Sequence, residues 1–378
     1  MNVARPSLTL GIEEEYQIVD PQTRELKSYI TQFLEGDHSV LRKRDIKPEL
    51  HQSIVEVGTK ACNTVQEVRD EITQLRQIVS ELAQQQGACI AAAGTHPFSS
   101  WQTQEITPFE RYQGIISDMQ DLARQLLIFG MHIHVGIEDN EFAIDAMNTM
   151  RYMTPHILAL SASSPFWEGR NTGLKSYRSA LFKRFPRTGL PIEFNSHAEY
   201  TRFVNILIST GCIPDASKIY WDIRPHHTYP TLELRICDLC TNIDDAVCCA
   251  AIFQALILKH YKMRVDNISF RNYPLSMVEE NKWRAVRYGT KGKLIDFGRQ
   301  EQLDASILLQ ELVEFVDDVV DDLGSRKEVE HVFTILERGT SADRQVEIFE
   351  REGDARAVVD WLIEETMRGC EPLEDVAL

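Results

Sequence analysis

The chain has 378 residues, of which 43% are hydrophobic and 26% are charged, a balance typical of globular proteins. Its formal net charge of −17 disfavours nonspecific binding to nucleic acid or to an anionic membrane. No segment approaches the roughly 18 apolar residues of a membrane-spanning helix. The N-terminal MNVARPSLTL also has no apolar core of signal-peptide length. We therefore expect a cytoplasmic protein with neither a nucleic-acid nor a membrane partner.

The length alone suggests about two domains, although one large domain also fits. The chain has eight cysteines, several in hydrophobic surroundings, which predicts reduced buried thiols and not a disulfide framework. Cys237 and Cys240 form a C-x-x-C pair, but no second pair stands at the spacing of a zinc site. A zinc or redox role for this pair is therefore disfavoured.

The segment from Leu8 to Val19 has the alternating pattern of a β-strand. Successive side chains of a strand point to opposite faces, so Glu13 and Glu15 share the face opposite the apolar residues, and Glu14 falls on the apolar face. Two neighbouring carboxylates repel each other, and a bound cation relieves that repulsion. The sequence thus predicts a metal site here, with a solvated acidic edge strand as the alternative.

Residues 46–59 read as a second extended segment, which carries Glu49 and Glu56. The two glutamates are an odd number of positions apart, so a regular strand would place them on opposite faces. They can serve one site only if a bulge or bend lies between them. The alternative is a core-facing strand with incidental polar residues.

Helical periodicity and capping signals predict most other elements. The first helix covers 64–86, with Thr64 and Glu67 as a capping box and Gly87 as the stop. Residues 88–94 read as a buried strand that leads to His96, a lone histidine of the kind that is more often structural than catalytic. Helices are also predicted over 109–129, 139–161, 197–209 and 242–262, with Pro155 bending or splitting the second of these. From Asp304 the chain reads as helical, with segments over 325–337, 341–352 and 354–369.

Three further segments carry charged side chains or histidines in patterns that suggest a site. On the strand MHIHVGIE, His132 and His134 share one face and could bind a metal or donate to phosphate oxygens. IYWDIR and TLELRIC read as paired strands, the second with Glu233 and Arg235 on its polar face. The basic residues of 174–187 suggest an anionic ligand, or else a solvated loop.

These charged faces fit one site. Carboxylates that hold divalent cations commonly also bind substrate phosphates, and arginines and histidines would contact the remaining phosphate oxygens. The sequence contains neither a G-x-x-x-x-G-K-[ST] loop nor the kinase motif set, so a P-loop fold is excluded. A nucleotide would therefore lie on a sheet.

Seven segments in order, GIEEEY, KPELHQSIVEVGT, GTHPFSSWQ, MHIHVG, LSASSPF, YWDIRPH and TLELRICD, resemble the ATP-dependent carboxylate–amine ligases, and among them the bacterial type 2 glutamate–cysteine ligase group. The resemblance covers about residues 8–290. It implies an α+β fold of the glutamine synthetase/guanido kinase-like kind, with a curved, mainly antiparallel sheet that forms a funnel flanked by helices. It also implies a single ligase domain over 1–378, with a catalytic core over 8–290 and a helical C-terminal region over 291–378.

The resemblance implies a two-step reaction in which ATP phosphorylates a carboxylate and an amine then displaces the phosphate. The implied substrates are glutamate and an amine such as cysteine, with Mg²⁺, or Mn²⁺ as a substitute. The implied metal ligands are Glu13, Glu15, Glu49, Glu56 and Glu233. Arg235 and His132 are assigned to phosphate charge, and the candidates for binding the nucleotide or the acceptor carboxylate are Arg178, Arg287, His134 and Arg111. The resemblance departs at Glu14, which we leave outside the metal set because it faces the core.

Two alternatives remain at this stage. One is a metallohydrolase built around His132 and His134, and the other is a regulatory homologue that binds ATP without turnover. The sequence does not identify the amine acceptor. Oligomeric state is also open, with a homodimer as one candidate.

Overall fold

A computed structural model of the protein describes residues 4–28 and 45–370. Within these ranges the strands are Leu10–Val19 (β1), Ile46–Pro48 (β2), Ile54–Gly58 (β3), Cys89–Ala91 (β4), Met131–Gly136 (β5), Phe166–Trp167 (β6), Arg170–Asn171 (β7), Thr188–Gly189 (β8), Tyr220–Trp221 (β9), Ile223–Pro225 (β10), Thr231–Leu234 (β11), Lys293–Asp296 (β12) and Glu301–Asp304 (β13).

The helices in the same ranges are Val65–Gln85 (α1), Glu110–Met119 (α2), Asp121–Arg124 (α3), Asn140–Met150 (α4), Thr154–Ser161 (α5), Tyr177–Phe182 (α6), His197–Ser209 (α7), Ile243–Val265 (α8), Leu275–Tyr288 (α9), Ala305–Leu323 (α10), Arg326–Arg338 (α11), Ser341–Glu352 (α12) and Ala355–Thr366 (α13). Short 3₁₀ turns cover Trp101–Thr103, Ala216–Lys218 and Gly289–Lys291.

A seven-stranded antiparallel sheet organises the molecule, in the order β10-β11-β5-β1-β3-β2, with β4 also paired to β1. The central strand β1 places Glu15 opposite Glu56 of β3 and Glu13 opposite His132 of β5. The next pair, β5 with β11, places His134 opposite Glu233. The predicted α+β class with a mainly antiparallel sheet is confirmed.

The other face of the sheet is apolar and packs against helices. Helix α8 is buried along nearly its whole length, and α1 contributes a stripe of buried residues that includes Val68, Ile72 and Leu75. Burial of this large apolar surface is the main stabilising contribution to the fold. The C-terminal helices α10 and α11 pack on α8, where Asp245 accepts a hydrogen bond from Arg338 and lies 2.9 Å from His331 Nε2.

Glu14 lies on this apolar face and is fully buried there, as the alternation of β1 predicts. Its carboxylate accepts hydrogen bonds from Arg76 of α1, at 2.7 Å from Nη2 and 3.1 Å from Nε, and from the Tyr16 hydroxyl. Arg76 also donates to three backbone carbonyls, those of Cys240, Thr241 and Thr366. Glu14 is therefore part of a buried ion pair and is separated from the acids of the opposite face.

Three predicted elements need correction or refinement. The helix expected over 109–129 is broken at Gln120, whose φ of 51° cannot continue a helix, and the helical residues end at Arg124. The helix expected over 139–161 is two helices that separate before Thr154–Ser161, in which Pro155 lies in the first turn. The extended segment 46–59 is two strands that pair antiparallel, so the chain reverses between them. Residues 371–378 of the predicted C-terminal region lie outside the described residues.

All eight cysteines carry free thiols, as expected, and Cys237 and Cys240 are buried. Among the described residues, the helices are all too short or too polar to span a bilayer.

His96 is buried, and both of its ring nitrogens contact the backbone. Its Nε2 lies 2.9 Å from the Arg24 carbonyl, and its Nδ1 accepts the Ser99 amide at 2.9 Å. Burial lowers the pKa of His96 to about 3. Because the unfolded chain binds this proton near pH 6.5 and the folded chain does not, stability is lost as the pH falls below that value.

Between pH 7 and pH 5 we expect His96 alone to lower the free energy of unfolding by about 2 kcal/mol. Urea unfolding at the two pH values measures this loss. A His96→Gln variant is expected to lose about 2 kcal/mol less than the wild type over the same interval. An equal loss in both proteins would mean that His96 is protonated in the folded state.

Candidate active site

A first cluster of acids lies on the polar face of the sheet. Glu15 of β1, Glu56 of β3 and Glu49 each offer a carboxylate oxygen, and these atoms lie within 4.8 Å of one another. Glu49 joins the strand residues because the chain turns back directly after β2, and Thr107 Oγ1 donates to its backbone carbonyl at 2.5 Å. The bend that the spacing of the two glutamates required is therefore present.

The electrostatics of this first cluster favour a bound cation. Burial, followed by the charge of Glu49, raises the pKa of Glu15 to about 7, although Arg178 and the Gly130 amide act in the opposite direction. Burial and the charges of the other acids raise the pKa of Glu56 well above its usual range. Three oxygen donors that repel one another fit a hard divalent ion, which would replace that repulsion by attraction.

A second cluster contains Glu13, His134 and Glu233, whose ligand atoms also lie within 4.8 Å of one another. His134 Nδ1 lies 3.0 Å from Thr231 Oγ1, which fixes the orientation of the ring. The other nitrogen, Nε2, is buried without a hydrogen-bond partner and lies 3.7 Å from Glu13 Oε1. A buried nitrogen without a partner, held between two carboxylates, fits a second divalent cation.

Glu233 is held by two arginines on its own side of the sheet. Arg224 Nε donates to it at 2.7 Å, and Arg235 Nη1 donates to its other oxygen. Burial opposes ionisation, but the charges of Arg235 and Arg224 outweigh burial and hold the pKa of Glu233 far below its usual range. The carboxylate is therefore charged and positioned to accept a metal.

His132 lies beside the second cluster and not within it. Its Nδ1 is 3.0 Å from Glu13 Oε2 and 3.4 Å from Arg235 Nη1. Burial, followed by the charge of Arg235, lowers the pKa of His132 to about 4, so its imidazole is neutral. The two histidines thus differ in their surroundings, and it is His134 that groups with the metal-binding candidates.

The three other arginines predicted to bind the nucleotide or the acceptor have different surroundings in the structure. Arg178 is buried and lines the cavity beside Glu15; it donates to the carbonyls of Ile236 and Arg235, while its Nε has no partner. Arg111 lines the same cavity and is exposed. Arg287 points elsewhere, where it donates to the Gly173 carbonyl and lies over the Tyr288 ring.

The basic segment 174–187 does not act as one anion site. Lys175 pairs with Asp343 at 2.6 Å, Arg184 donates to Gln125 and Arg187 donates to the Lys218 carbonyl. Arg178 is the residue of this segment that we had proposed for the site, and it does reach the cavity. Of these residues only Arg178 lies on helix α6, and Lys175, Arg184 and Arg187 lie outside it.

Two cavities lie over the polar face. The smaller, of about 360 Å³, is lined by the first acid cluster, Arg178, Arg235 and a wall of apolar and aromatic side chains that includes Tyr112, Phe182 and Tyr220. The larger, of about 600 Å³, lies beside Glu13 and His134 over Gly11 and Gly58. Within the second cluster, His134 lines the larger cavity, Glu233 lines the smaller one and Glu13 lines both, so this cluster lies at the boundary between the two ligand spaces.

Several residues of this site had no role in the sequence analysis. Arg224 is one of them: the strand is interrupted at Asp222, which pairs with Lys282, whereas Arg224 faces the site and binds Glu233. Lys47 was overlooked because it stands next to Pro48 on a strand of only three residues. The signal that could have found it is its position two residues before Glu49, on the same face of a strand.

The sequence and the fold are similar to those of known proteins. The family model of glutamate–cysteine ligase family 2 matches residues 9–361. The protein named "Putative glutamate--cysteine ligase 2" from Roseiflexus sp. (strain RS-1) is 59% identical over 370 residues, which cover 97% of each chain. The protein of the same name from Sorangium cellulosum (strain So ce56) is 54% identical over 363 residues, which cover 96% of each chain.

Two solved structures share the fold. The glutamate–cysteine ligase of Francisella tularensis, in complex with AMP, has a TM-score of 0.70 at 12% identity and covers 98% of this chain and 90% of its own. A bifunctional glutathione synthetase from Pasteurella multocida has a TM-score of 0.70 at 14% identity and covers 96% of this chain and 52% of its own. At these identities the similarity concerns the fold.

Proposed function

The chain belongs to glutamate–cysteine ligase family 2, and we therefore propose that it is an ATP-dependent ligase that joins a carboxylate to an amine through an acyl phosphate. The proposed acid is glutamate and the proposed acceptor is a small amine, with cysteine as the first candidate because the relatives carry that name. The observation that carries the proposal is the pair of acid clusters on one sheet face, the first lining the smaller cavity and the second lying where the two cavities meet.

We propose that the two clusters hold Mg²⁺, for which Mn²⁺ could substitute. Glu15, Glu49 and Glu56 would hold one ion, and Glu13, Glu233 and His134 the other. When bound, such ions neutralise phosphate charge and align the reacting oxygens. The buried nitrogen of His134 and the raised pKa of Glu15 support this assignment.

The residues that line the two cavities suggest that each cavity binds a different substrate. The larger cavity lies over two glycines and is bordered by the apolar Ile12 and Pro230, which suits a nucleoside. The smaller cavity presents Arg178 and Arg111, which suit a carboxylate, and an apolar wall that suits the side chain of an acceptor. The phosphoryl group would then move between the two cavities.

The protein groups act by charge and position. In the first step the bond between the γ-phosphorus and the ADP oxygen breaks and a bond to the substrate carboxylate forms, with charge spread over the phosphoryl oxygens. Arg235 is held by Glu233 and faces this space, so it would stabilise that charge, with the neutral His132 beside it. In the second step the amine displaces phosphate and loses a proton, which gives the amide.

Gly130 offers a test of the role of Arg178. Its amide donates to Glu15 Oε2 at 2.5 Å, and a Cβ at this position would collide with the Arg178 guanidinium. We expect Gly130→Ala to displace Arg178 and lower kcat/KM for the acid substrate at least about tenfold, since a hydrogen bond to a charged group contributes about 1.5–3 kcal/mol. The matched control is Gly114→Ala, where the added Cβ meets open space. Steady-state kinetics that are alike for both variants would contradict the role of Arg178.

The proposed function is tested by ADP release in the presence of Mg²⁺, glutamate and a panel of amines and amino acids. We expect release that depends on the amine and is abolished by EDTA, with the amide identified by mass spectrometry. Formation of AMP in place of ADP would contradict the acyl-phosphate route. Binding of ATP without ADP release for any acid and amine would instead identify a regulatory homologue.

A further inference from the structure

The two cavities have three lining residues in common within the described part of the chain, namely Glu13, Lys47 and Tyr229. Glu13 belongs to the second acid cluster, and Tyr229 is uncharged. Lys47 therefore provides the positive charge at this junction. The arginines Arg178, Arg224 and Arg235 line the smaller cavity and not the larger one.

Lys47 is held at the junction by two acids. It lies on the edge strand β2 with its Cα opposite that of Glu56, which is itself opposite Glu15. Its Nζ is 2.9 Å from Asp45 Oδ1 and 3.9 Å from Glu56 Oε1. The side chain is 49% exposed, so the ammonium is accessible to a ligand.

Gly58 lets Asp45 take this position. The Gly58 amide donates to the Asp45 carbonyl at 3.1 Å, and a Cβ on residue 58 would lie only 2.6 Å from Asp45 Oδ2. A side chain at residue 58 would thus push away the carboxylate that orients Lys47. Gly58 also lines the larger cavity. The absence of a side chain at residue 58 therefore leaves space both for the proposed nucleotide and for Asp45, which pairs with Lys47.

We propose that the Lys47 ammonium contacts the phosphoryl group as it passes from the nucleotide in the larger cavity to the carboxylate in the smaller one. This inference rests on the proposed ligase function. The bond from phosphorus to the ADP oxygen breaks and the bond to the carboxylate oxygen forms, while Lys47 keeps all its protons and supplies only charge. In this role it is a catalytic residue for the first step, complementary to Arg235, which acts from the smaller cavity alone.

The test compares Lys47→Met with Lys293→Met. Lys293 is also an edge-strand lysine, on β12, where its ammonium lies 3.9 Å from Asp304 Oδ1. We expect Lys47→Met to lower kcat about 100-fold, in line with the loss of one preorganised charge, and to change KM for ATP and glutamate less than about threefold, because the contact is made mainly in the transition state. Lys293→Met is expected to keep wild-type kinetics, and Lys47→Arg is expected to restore part of the rate.

A second measurement isolates the first step. In this measurement ATP carries an oxygen isotope at the bridge between its β- and γ-phosphates. Movement of the isotope to a non-bridging position of the β-phosphate, in the presence of glutamate and without an amine, reports reversible phosphoryl transfer alone. We expect this exchange in the wild type and in Lys293→Met, and a loss of about 100-fold in Lys47→Met. ADP binding by calorimetry and thermal unfolding are measured on the same samples.

The outcomes separate this inference from the proposed function. If the wild type shows neither label exchange nor ADP release with any acid, the ligase proposal itself fails. If the wild type is active and Lys47→Met turns over within threefold of it, the role of Lys47 is wrong while the ligase proposal stands. If Lys47→Met and Lys47→Arg both lose ADP binding and thermal stability in parallel with activity, Lys47 has a structural role and the inference is overturned.

Discussion

Replacement of Glu56 by Gln is expected to reduce turnover at least about 10³-fold, or about 4 kcal/mol in the activation free energy. Glu56 is one of three acids whose oxygens lie within 4.8 Å of one another. The neutral amide of Gln lacks the negative charge with which the carboxylate would attract a cation. The first cluster would then hold its ion weakly. Activity is measured as ADP release over a range of Mg²⁺ concentrations, and a partial recovery at high Mg²⁺ would agree with weakened metal binding.

The same substitution is expected to stabilise the metal-free protein. Burial and the charges of Glu49, Glu13 and Glu15 raise the pKa of Glu56, so its ionised form is unfavourable in the folded state. This cost is absent below the carboxyl pKa of the unfolded chain, grows as the pH rises above that value, and is fully present above the raised pKa of the folded group. We expect Glu56→Gln to raise the free energy of unfolding in EDTA at pH 7 by about 1–2 kcal/mol.

The control for Glu56 is Glu279→Gln, which changes a surface glutamate that lies 3.8 Å from Lys183. That variant is expected to retain wild-type turnover and to change stability by less than about 0.5 kcal/mol. If Glu56→Gln is as active as Glu279→Gln, the first cluster is not a metal site. If it is inactive and also less stable in EDTA, the carboxylate has a structural role that outweighs its repulsion.

The residues predicted well from the sequence are those on long, regular strands. Alternation along β1 and β5 is sufficient to place Glu13, Glu15 and His134 on one face and Glu14 on the other. The antiparallel class and most helix bounds follow from similar local signals, such as the N-cap hydrogen bond that the Glu67 amide donates to the Thr64 hydroxyl. Local periodicity is reliable there because burial and backbone geometry favour the same side-chain direction.

The features that sequence reasoning left open or assigned wrongly depend on contacts that local patterns do not encode. Glu49 lies close to Glu56 because the chain reverses between β2 and β3. The spacing of the two glutamates in the sequence requires such a reversal but does not show where it occurs. The choice of His134 over His132 for the second cluster depends on Thr231, a residue of another strand. Arg287 was grouped with the site by its charge, but its partner is the Gly173 carbonyl. Charge alone does not determine which arginine faces a cavity.

Replacement of Arg76 by Met is expected to lower the free energy of unfolding by about 3–5 kcal/mol, because it leaves the Glu14 carboxylate buried without its partner. Three backbone carbonyls, those of Cys240, Thr241 and Thr366, would lose their donor as well. These contacts join α1 to the segment before α8 and to the end of α13, so the loss affects the packing of three elements. Urea unfolding measures the change.

The double variant Glu14→Gln with Arg76→Met tests the cause of that loss. It removes the buried charge while residue 14 can still accept a hydrogen bond from the Tyr16 hydroxyl, so we expect it to recover about 1–3 kcal/mol relative to Arg76→Met. Because Glu14 lies on the face opposite Glu13 and Glu15, the folded double variant is expected to keep the Mg²⁺ dependence and turnover of the wild type at low temperature. A stable double variant that has lost its Mg²⁺ dependence would show that the two faces of β1 are not functionally separate, and the division of its acids into core and site would then be wrong.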